Sequence, residues 1–343
     1  MDFRVDEAQR ELAEGIRSLV AGRLPLERIR TFEGEERTVS AEDWAALGET
    51  GVFALTLPEP AGTGLGLADA AVVFEELGRA LVPGPLVGTF LAASRGLVPG
   101  AAEGHVMVGL CHGSGGPPWL VDHLSSLDAA FFLPGGGIGG GRSLKTTIRD
   151  EPTAMRVAQP LDPLTPLWQL SQLPAGQPVE DSDQLLFRDG AILTAALQVG
   201  HATETLELAV AYAKERHQFG KPIGSFQAVK HLCADMLVRA EVARAAVHAA
   251  ACLADGPDVL AAESAAAGMT ALACMQRAAA GAKLLADEAA ITNARTAIQV
   301  YGGMGYTWEV PLHLHLKRSH VLATTFGTRS QLSSLVASLV GAA

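Results

Sequence analysis

Aromatic residues make up only 5% of this 343-residue chain, and charged residues only 18%. With apolar residues at 48%, the shortage of charge excludes intrinsic disorder, which needs the opposite balance. The length suffices for two or three packed units around a large core. Cysteine is scarce: Cys111, Cys233, Cys252 and Cys274 are the four, and none forms a CxxC pair. That spacing argues against a structural zinc or a disulfide framework and fits a reducing cytoplasm. No apolar run reaches the roughly 18 residues of a membrane span. The opening MDFRVDEAQR has no apolar stretch behind a basic start, so secretion is not expected. Basic residues are also short, 26 against 37 acidic for a net charge of −11. A general nucleic-acid binder needs the opposite field, whereas a small anionic ligand needs only a few local cations or a helix N-terminus.

Three textures follow one another along the chain. Residues 1–103 read as helical. Leu12, Ile16, Leu19 and Val20 form a helical stripe, and Ser40 precedes AEDW as a helix start, with Asp43 in a capping-box position. The connector PEPAGTGLG (58–66) leads into an amphipathic helix over 67–81, stopped by Pro83. Residues 104–188 alternate short apolar pieces (HVMVGL, AAFFL, and Leu-Leu-Phe at 185–187) with Gly/Pro clusters, and read as a small β unit. Its PGGGIGGG (134–141) reads as a turn, since no helical pattern follows it as a phosphate-binding loop requires. HGSGG (112–116) has His112 where a nucleophile elbow has its first glycine, so a hydrolase is disfavoured. Residues 189–343 return to helix. Val229, Leu232, Cys233, Met236, Leu237, Ala240, Ala243 and Val247 recur at helical spacing, Gly256-Pro257 stops that helix, and an Ala-rich stretch follows to about residue 300. The expected fold is α+β: an N-terminal helical domain, a small middle β domain and a C-terminal four-helix bundle.

Two C-terminal segments carry chemistry. In AYAKERHQFGKPIGSFQAVKHLCADM (211–236), Arg216 stands before a turn that feeds a helix, and Gln227 lies in that helix's first turn. A planar, permanently charged guanidinium beside free helix N–H groups suits a pyrophosphate. In AIQVYGGMGYTWEVPLHLHLKR (297–318), Gln299 ends a helix, and Gly302, Gly303 and Gly305 form a turn with no Cβ atoms to block a nucleotide. His313 and His315 alternate with leucines but have no carboxylate or cysteine partners nearby in sequence, so no metal is expected.

Together, in this order after an α–β layout, the two segments resemble the acyl-CoA dehydrogenase family of flavoproteins. The resemblance is specific over the last 150 or so residues, good over the first 100, and poor between. It implies α,β-dehydrogenation of an acyl-CoA thioester to the trans-2-enoyl-CoA, FAD as cofactor, and electron-transfer flavoprotein as acceptor. It also implies that Arg216, Gln218, Phe219, Phe226, Gln227, Gln299, Gly302 and Gly303 contact the FAD of a neighbouring subunit.

The chain departs from that family where the reaction needs a base. The catalytic glutamate occupies one of two family positions, and these fall here on Gly327 and Gly190. Asp189 is adjacent to the second, but consecutive helical residues point about 100° apart. Glu309 matches an acidic position common in related sequences and reads as structural. The Thr-Glu-Pro…Gly-Ser-Asp-like and Trp-Ile-Thr-like segments that grip the flavin ring are missing between 104 and 188, and Ala-rich sequence around 257–276 is extra. Groups that would hold a partner's flavin remain, while those for the chain's own flavin and base are lost. This pattern resembles the short subunit of bacterial α2β2 acyl-CoA dehydrogenases acting on steroid side-chain thioesters: no catalytic residue of its own, FAD bound at the subunit interface. Two alternatives stay open: a self-sufficient homo-oligomeric dehydrogenase using an unrecognised base, and an acyl-CoA-binding scaffold without turnover.

Overall fold

The computed structural model describes residues 5–113, 117–134, 144–147, 154–173, 176–179 and 183–340. The N-terminal unit comprises α1 (Glu7–Arg23), α2 (Leu26–Arg30), α3 (Ala41–Glu49), α4 (Leu67–Arg79) and α5 (Leu86–Ser94). Local chemistry starts two of these helices. Asp6 accepts the Gln9 N–H at 2.8 Å while the Gln9 side chain accepts the Asp6 N–H at 3.2 Å, a complete capping box. Ser40 accepts the Asp43 N–H at 3.0 Å, as expected, but the Asp43 carboxylate turns to the Ser40 hydroxyl and to Arg28 instead of closing the box.

The middle unit is a mixed sheet of β1 (Val108–Gly113), β2 (Trp119–Asp122), β3 (Ala129–Pro134), β4 (Leu144–Thr147), β5 (Ala154–Arg156), β6 (Leu167–Leu170) and β7 (Gln177–Pro178), in the order β5-β6-β2-β1-β3-β4-β7. β1 and β3 pair in parallel and the remaining neighbours antiparallel. The glycine run after Pro134 and the Ser-Gly-Gly of HGSGG lie outside the described residues. The Leu-Leu-Phe of 185–187 is not a strand. It belongs to α6 (Asp183–Glu215), with Leu186 and Phe187 buried. Three apolar residues carry no period that separates strand from buried helix.

After α6 come a two-residue hairpin, β8 (His217–Gln218) and β9 (Lys221–Pro222), then α7 (Gln227–Asp255), α8 (Pro257–Ala267), α9 (Ala271–Tyr301), α10 (Leu312–Leu322) and α11 (Arg329–Val340). The Ala-rich stretch thus breaks into α8 and α9, at Gly268 in the left-handed region and Thr270 as the next N-cap. Contacts between α6 and α9 advance in step, Gln198 to Asp287, Ala202 to Asn293 and Leu208 to Tyr301, so these two helices run parallel. Buried Ala195, Ala202 and Ala209 on α6 face a core with Ala279, Ala286, Ala290, Ala294 and Ala297 on α9, small side chains that let long helices pack closely. α4 crosses α6 closer still. A Cβ at Gly78 would sit 2.2 Å from the Leu197 carbonyl oxygen, and one at Gly200 2.1 Å from that of Glu75. Lys283, fully buried, donates to both Asp287 oxygens (3.0 and 2.7 Å) and to the Leu322 carbonyl (3.0 Å), fastening α9 to α10. Among the described residues, no single helix is long and apolar enough to cross a membrane.

The bundle also holds the N-terminal unit from outside. Asp255, at the end of α7, accepts the Leu67 and Ala68 N–H groups at 2.8 Å each and so caps α4 across the unit boundary. Asp255→Ala is therefore expected to lower stability by about 1 kcal/mol, the usual cost of a lost cap. An unchanged urea midpoint would contradict this role.

Candidate functional site

One end of the bundle gathers the residues that the sequence singles out. Leu206, Ala209 and Ala213 of α6, Met236 of α7, and Ala297, Ile298 and Val300 of α9 form a separate buried cluster there, with Val229, Leu232 and Cys233 packed on it. The cluster brings together the end of α6, the start of α7 and the end of α9. Tyr212 and Tyr301 stack across it with centroids 3.9 Å apart, and the Tyr301 hydroxyl donates to the Leu208 carbonyl at 3.2 Å. Neither tyrosine stood out from the sequence, and together they fix the helix ends that present the site.

Arg216, Gln218, Phe219, Gln227, Gln299, Gly302 and Gly303 are all exposed on this end, and Phe226 is half-buried. Among the described residues Arg216 makes no ion pair. The hairpin turn puts Phe219 at φ +53° and Gly220 at φ +78°, the pattern of a type I′ turn. A phenylalanine in that region is strained, and this one is 91% exposed. Phe226 lies edge-on to it at 6.1 Å, with the Lys221 ammonium 4.4 Å over the Phe226 ring. α7 begins without a side-chain cap, leaving its first N–H groups free for an anion. Gly302 has φ +61°, and a Cβ at Gly302 or Gly303 would meet nothing within 4 Å. Within the chain these two glycines border open space. An exposed guanidinium beside open helix N–H groups fits the diphosphate of a nucleotide. Met304, Tyr306 and Trp308 extend the exposed apolar surface beyond them.

Of the two positions aligned to the family's base, Gly190 and Gly327, the first is covered by the ring of the residue that precedes the second. Phe326, buried and at φ +54°, projects its ring onto Gly190: a Cβ at residue 190 would lie 2.1 Å from the ring's Cζ. Gly327 follows at φ +104°. Phe326 thus fills the space that a side chain at 190 would need, a role with no signature in the sequence. Asp189 is 8% exposed and fully engaged, one oxygen accepting from Arg95 and the other from Arg188, both at 2.6 Å. Neither oxygen is free to approach a substrate carbon. Glu309 is exposed, and its backbone carbonyl, like that of Trp308, accepts from Arg30. His313 packs edge-on against Trp308 at 4.4 Å, and His315 Nδ1 lies 3.0 Å from His201 Nδ1, so the two histidines turn to different partners.

Residues 6–99 match the acyl-CoA dehydrogenase N-terminal domain, and residues 183–340 the acyl-CoA dehydrogenase C-terminal domain. The acyl-CoA dehydrogenase IpdE2 of Mycobacterium tuberculosis is 36% identical over 321 residues, covering 92% of this chain and 91% of that one. The chain belongs to the acyl-CoA dehydrogenase family. Membership carries the coarse chemistry with it: an oxidoreductase family acting on CH–CH bonds with FAD. A longer family member, FadE34 of the same organism, is 35% identical over 345 residues, covering 93% of this chain but only 46% of its own length. Among solved structures, the ChsE4-ChsE5 complex from M. tuberculosis matches with a TM-score of 0.79 at 20% identity, covering 100% of both chains. A variant of the Tcur3481-Tcur3483 steroid ACAD matches with a TM-score of 0.78 at 22% identity, covering 99% of each chain. At those identities the likeness establishes the acyl-CoA dehydrogenase fold, with its helical ends and small sheet.

Proposed function

We propose that this chain is a non-catalytic subunit of an FAD-dependent acyl-CoA dehydrogenase, contributing FAD contacts across an interface to a catalytic partner. The observation that carries the reading is the Phe326 ring packed on Gly190, with glycine at both base positions. Abstraction of the substrate α-proton needs a carboxylate within reach. A bound FAD would supply the acceptor for the hydride that leaves the β-carbon. The chain's own part is to hold the cofactor: Arg216 pairs with the diphosphate, the open amides of α7 and Gln227 support it, and Gln299 with Gly302 and Gly303 gives the adenosine a surface to lie on. Gln218, Phe219 and Phe226 close the rim, and the exposed Phe219 ring becomes buried against the partner.

The relatives support a two-subunit arrangement. The match to FadE34 occupies under half of that chain, leaving room there for a second unit of similar size, and two of the structural neighbours carry two-protein names. We take the assembly to be α2β2 and cytoplasmic, with electron-transfer flavoprotein as electron acceptor and a steroid-derived or other lipid acyl-CoA as substrate. The self-sufficient alternative loses support because Asp189 has both oxygens occupied by arginines. Arg216→Ala in the co-purified complex is expected to weaken FAD retention roughly 10- to 100-fold, the scale of one hydrogen bond from a charged group. Unaltered flavin content after extensive dialysis would remove Arg216 from the site.

A further inference from the structure

A groove of about 230 Å³ opens where α1, α4, α6 and α10 meet. Helical spacing builds it. Arg17, Val20 and Ala21 share a stripe of α1 that Leu24 extends, Glu76 and Arg79 share one of α4, and Glu204 and Leu208 one of α6. Most of the wall is aliphatic, and its charges do not balance. Arg17 and Glu76 form a two-point pair at 2.9 and 2.7 Å. Arg79 is left to serve both Glu204, at 3.3 Å, and Glu207, at 2.5 Å. Two cations thus meet three carboxylates. Burial raises the Glu204 carboxyl, and Arg79 offsets this only in part, as expected of a group short of a counter-ion. A second acceptor belongs to His315, which lines the groove and is 2% exposed. Its Nδ1 faces His201 Nδ1 at 3.0 Å. That leaves Nε2, which has no hydrogen-bond partner among the described residues. Burial keeps this imidazole neutral, lowered to about 3. With its one proton on Nδ1 towards His201, Nε2 carries a lone pair.

We propose that this groove binds an organic cation on an aliphatic stem, an alkylammonium or alkylguanidinium. Glu204 and the Nε2 of His315 accept from the cation, and Val20, Leu24 and Leu208 pack along the stem. The space suffices, since a cavity of roughly 150 Å³ already holds a benzene ring. Other ligand classes fit these residues less well. An anion would meet the surplus carboxylate. A metal ion needs several hard ligands, and among the described residues no group of His, Cys, Asp and Glu is arranged to hold one. A neutral hydrocarbon would leave Glu204 without its counter-ion. A free amine and a lysine or arginine side chain of another chain share the required chemistry. None of the groove residues belongs to the flavin surface, so this inference stands apart from the proposed function.

The test starts with the full chain alone. Butylammonium is titrated beside 1-butanol, which lacks the charge, and methylammonium, which lacks the stem, with saturable binding read by ligand-observed NMR. Butylammonium is expected to bind at least tenfold more tightly than either control. Glu204→Gln, which keeps the shape and removes the charge, is expected to weaken it roughly tenfold. Ala21→Phe, at an exposed position on the α1 side of the groove, should abolish binding by filling the space, and disturbs no ion pair. Equal binding of the three probes, no saturable binding, or wild-type affinity in both folded variants would overturn the proposal. Repeating the titration with a catalytic subunit bound separates the two sources. A partner's lysine or arginine seated in the groove would block butylammonium and make the complex sensitive to Glu204→Gln. With a free amine as the occupant, butylammonium keeps its affinity and the complex ignores the substitution. Since no flavin or turnover is measured on the chain alone, a failure there leaves the subunit reading standing. Likewise, an active homo-oligomer would leave a positive titration intact.

Discussion

Gly190→Glu is expected to give a chain destabilised by about 3 kcal/mol or more, with no dehydrogenase activity. The new Cβ would lie 2.1 Å from a ring that is itself only 2% exposed, and overpacking of that kind typically costs about 1–3 kcal/mol. The carboxylate adds the desolvation of a charge in an aromatic surround, and Asp189 next to it already claims Arg95 and Arg188. Phe326→Ala alone is expected to cost about 3–5 kcal/mol, the range for an emptied aromatic site. If the ring and residue 190 compete for one space, the double variant will be clearly more stable than the sum of the two losses. Urea unfolding of the four proteins measures that coupling. Strict additivity would show that the ring does not occupy the site. Turnover of an acyl-CoA by folded Gly190→Glu would show that Phe326 moves aside.

Acid is expected to unfold the protein well before its carboxylates titrate fully. Burial lowers six histidines below the ordinary value, His248, His313 and His320 among them, and three lie deepest: His123 is lowered to about 4, His315 to about 3, and His201 well below 6.5. Nearby Arg318 adds to the effect on each of these three, and His201 and His315 face one another at 3.0 Å. These groups stay neutral in the folded chain and take up protons on unfolding once the pH falls below about 6.5. Stability therefore falls as pH drops from 6.5 towards 4. Each histidine contributes about 1.4 kcal/mol per pH unit within that window, or about 4 kcal/mol per unit for the three together. Asp287 and Glu204, raised by burial, work in the opposite sense at the lower end and offset part of the loss. Against a typical total of about 5–15 kcal/mol, one to two units of acidification consume much of the margin. Urea titrations at pH 7.5, 6 and 5 read the slope directly, and His315→Gln should reduce it by about 1.4 kcal/mol per pH unit. Stability that is flat from pH 7.5 to 5 would contradict the buried neutral histidines.

Much of this molecule is legible in the order of its residues, because the signals are local. The Leu12–Val20 stripe becomes α1, Ser40 caps α3, and Pro222, Gly256-Pro257 and Gly302 punctuate the bundle where they stand. The residues singled out for a nucleotide all come to one end because helix ends and their loops are neighbours in sequence as well as in space. What stays hidden depends on distant contacts. Phe326 and Gly190 are 136 positions apart, and nothing in either segment reveals that the ring covers the glycine. Lys283 and Asp287, at i, i+4 on an Ala-rich helix, have the spacing of an ordinary surface pair, yet Lys283 is fully buried and holds α10 in place. The start of α6 at Asp183 stays hidden because Leu185, Leu186 and Phe187 are too short an apolar run to separate strand from buried helix. β5 and β7, three and two residues long, are too short to show alternation.

The central claim is that this chain presents a surface for a flavin held by a different protein and lacks the base to use one itself. The most direct test is to purify the folded chain alone, record its visible spectrum, and repeat the measurement after co-expression with a catalytic acyl-CoA dehydrogenase subunit. The account predicts no flavin band and no enoyl-CoA formation from the chain alone, with both restored in the complex. A stoichiometric flavin band with acyl-CoA turnover by the homo-oligomer would contradict it.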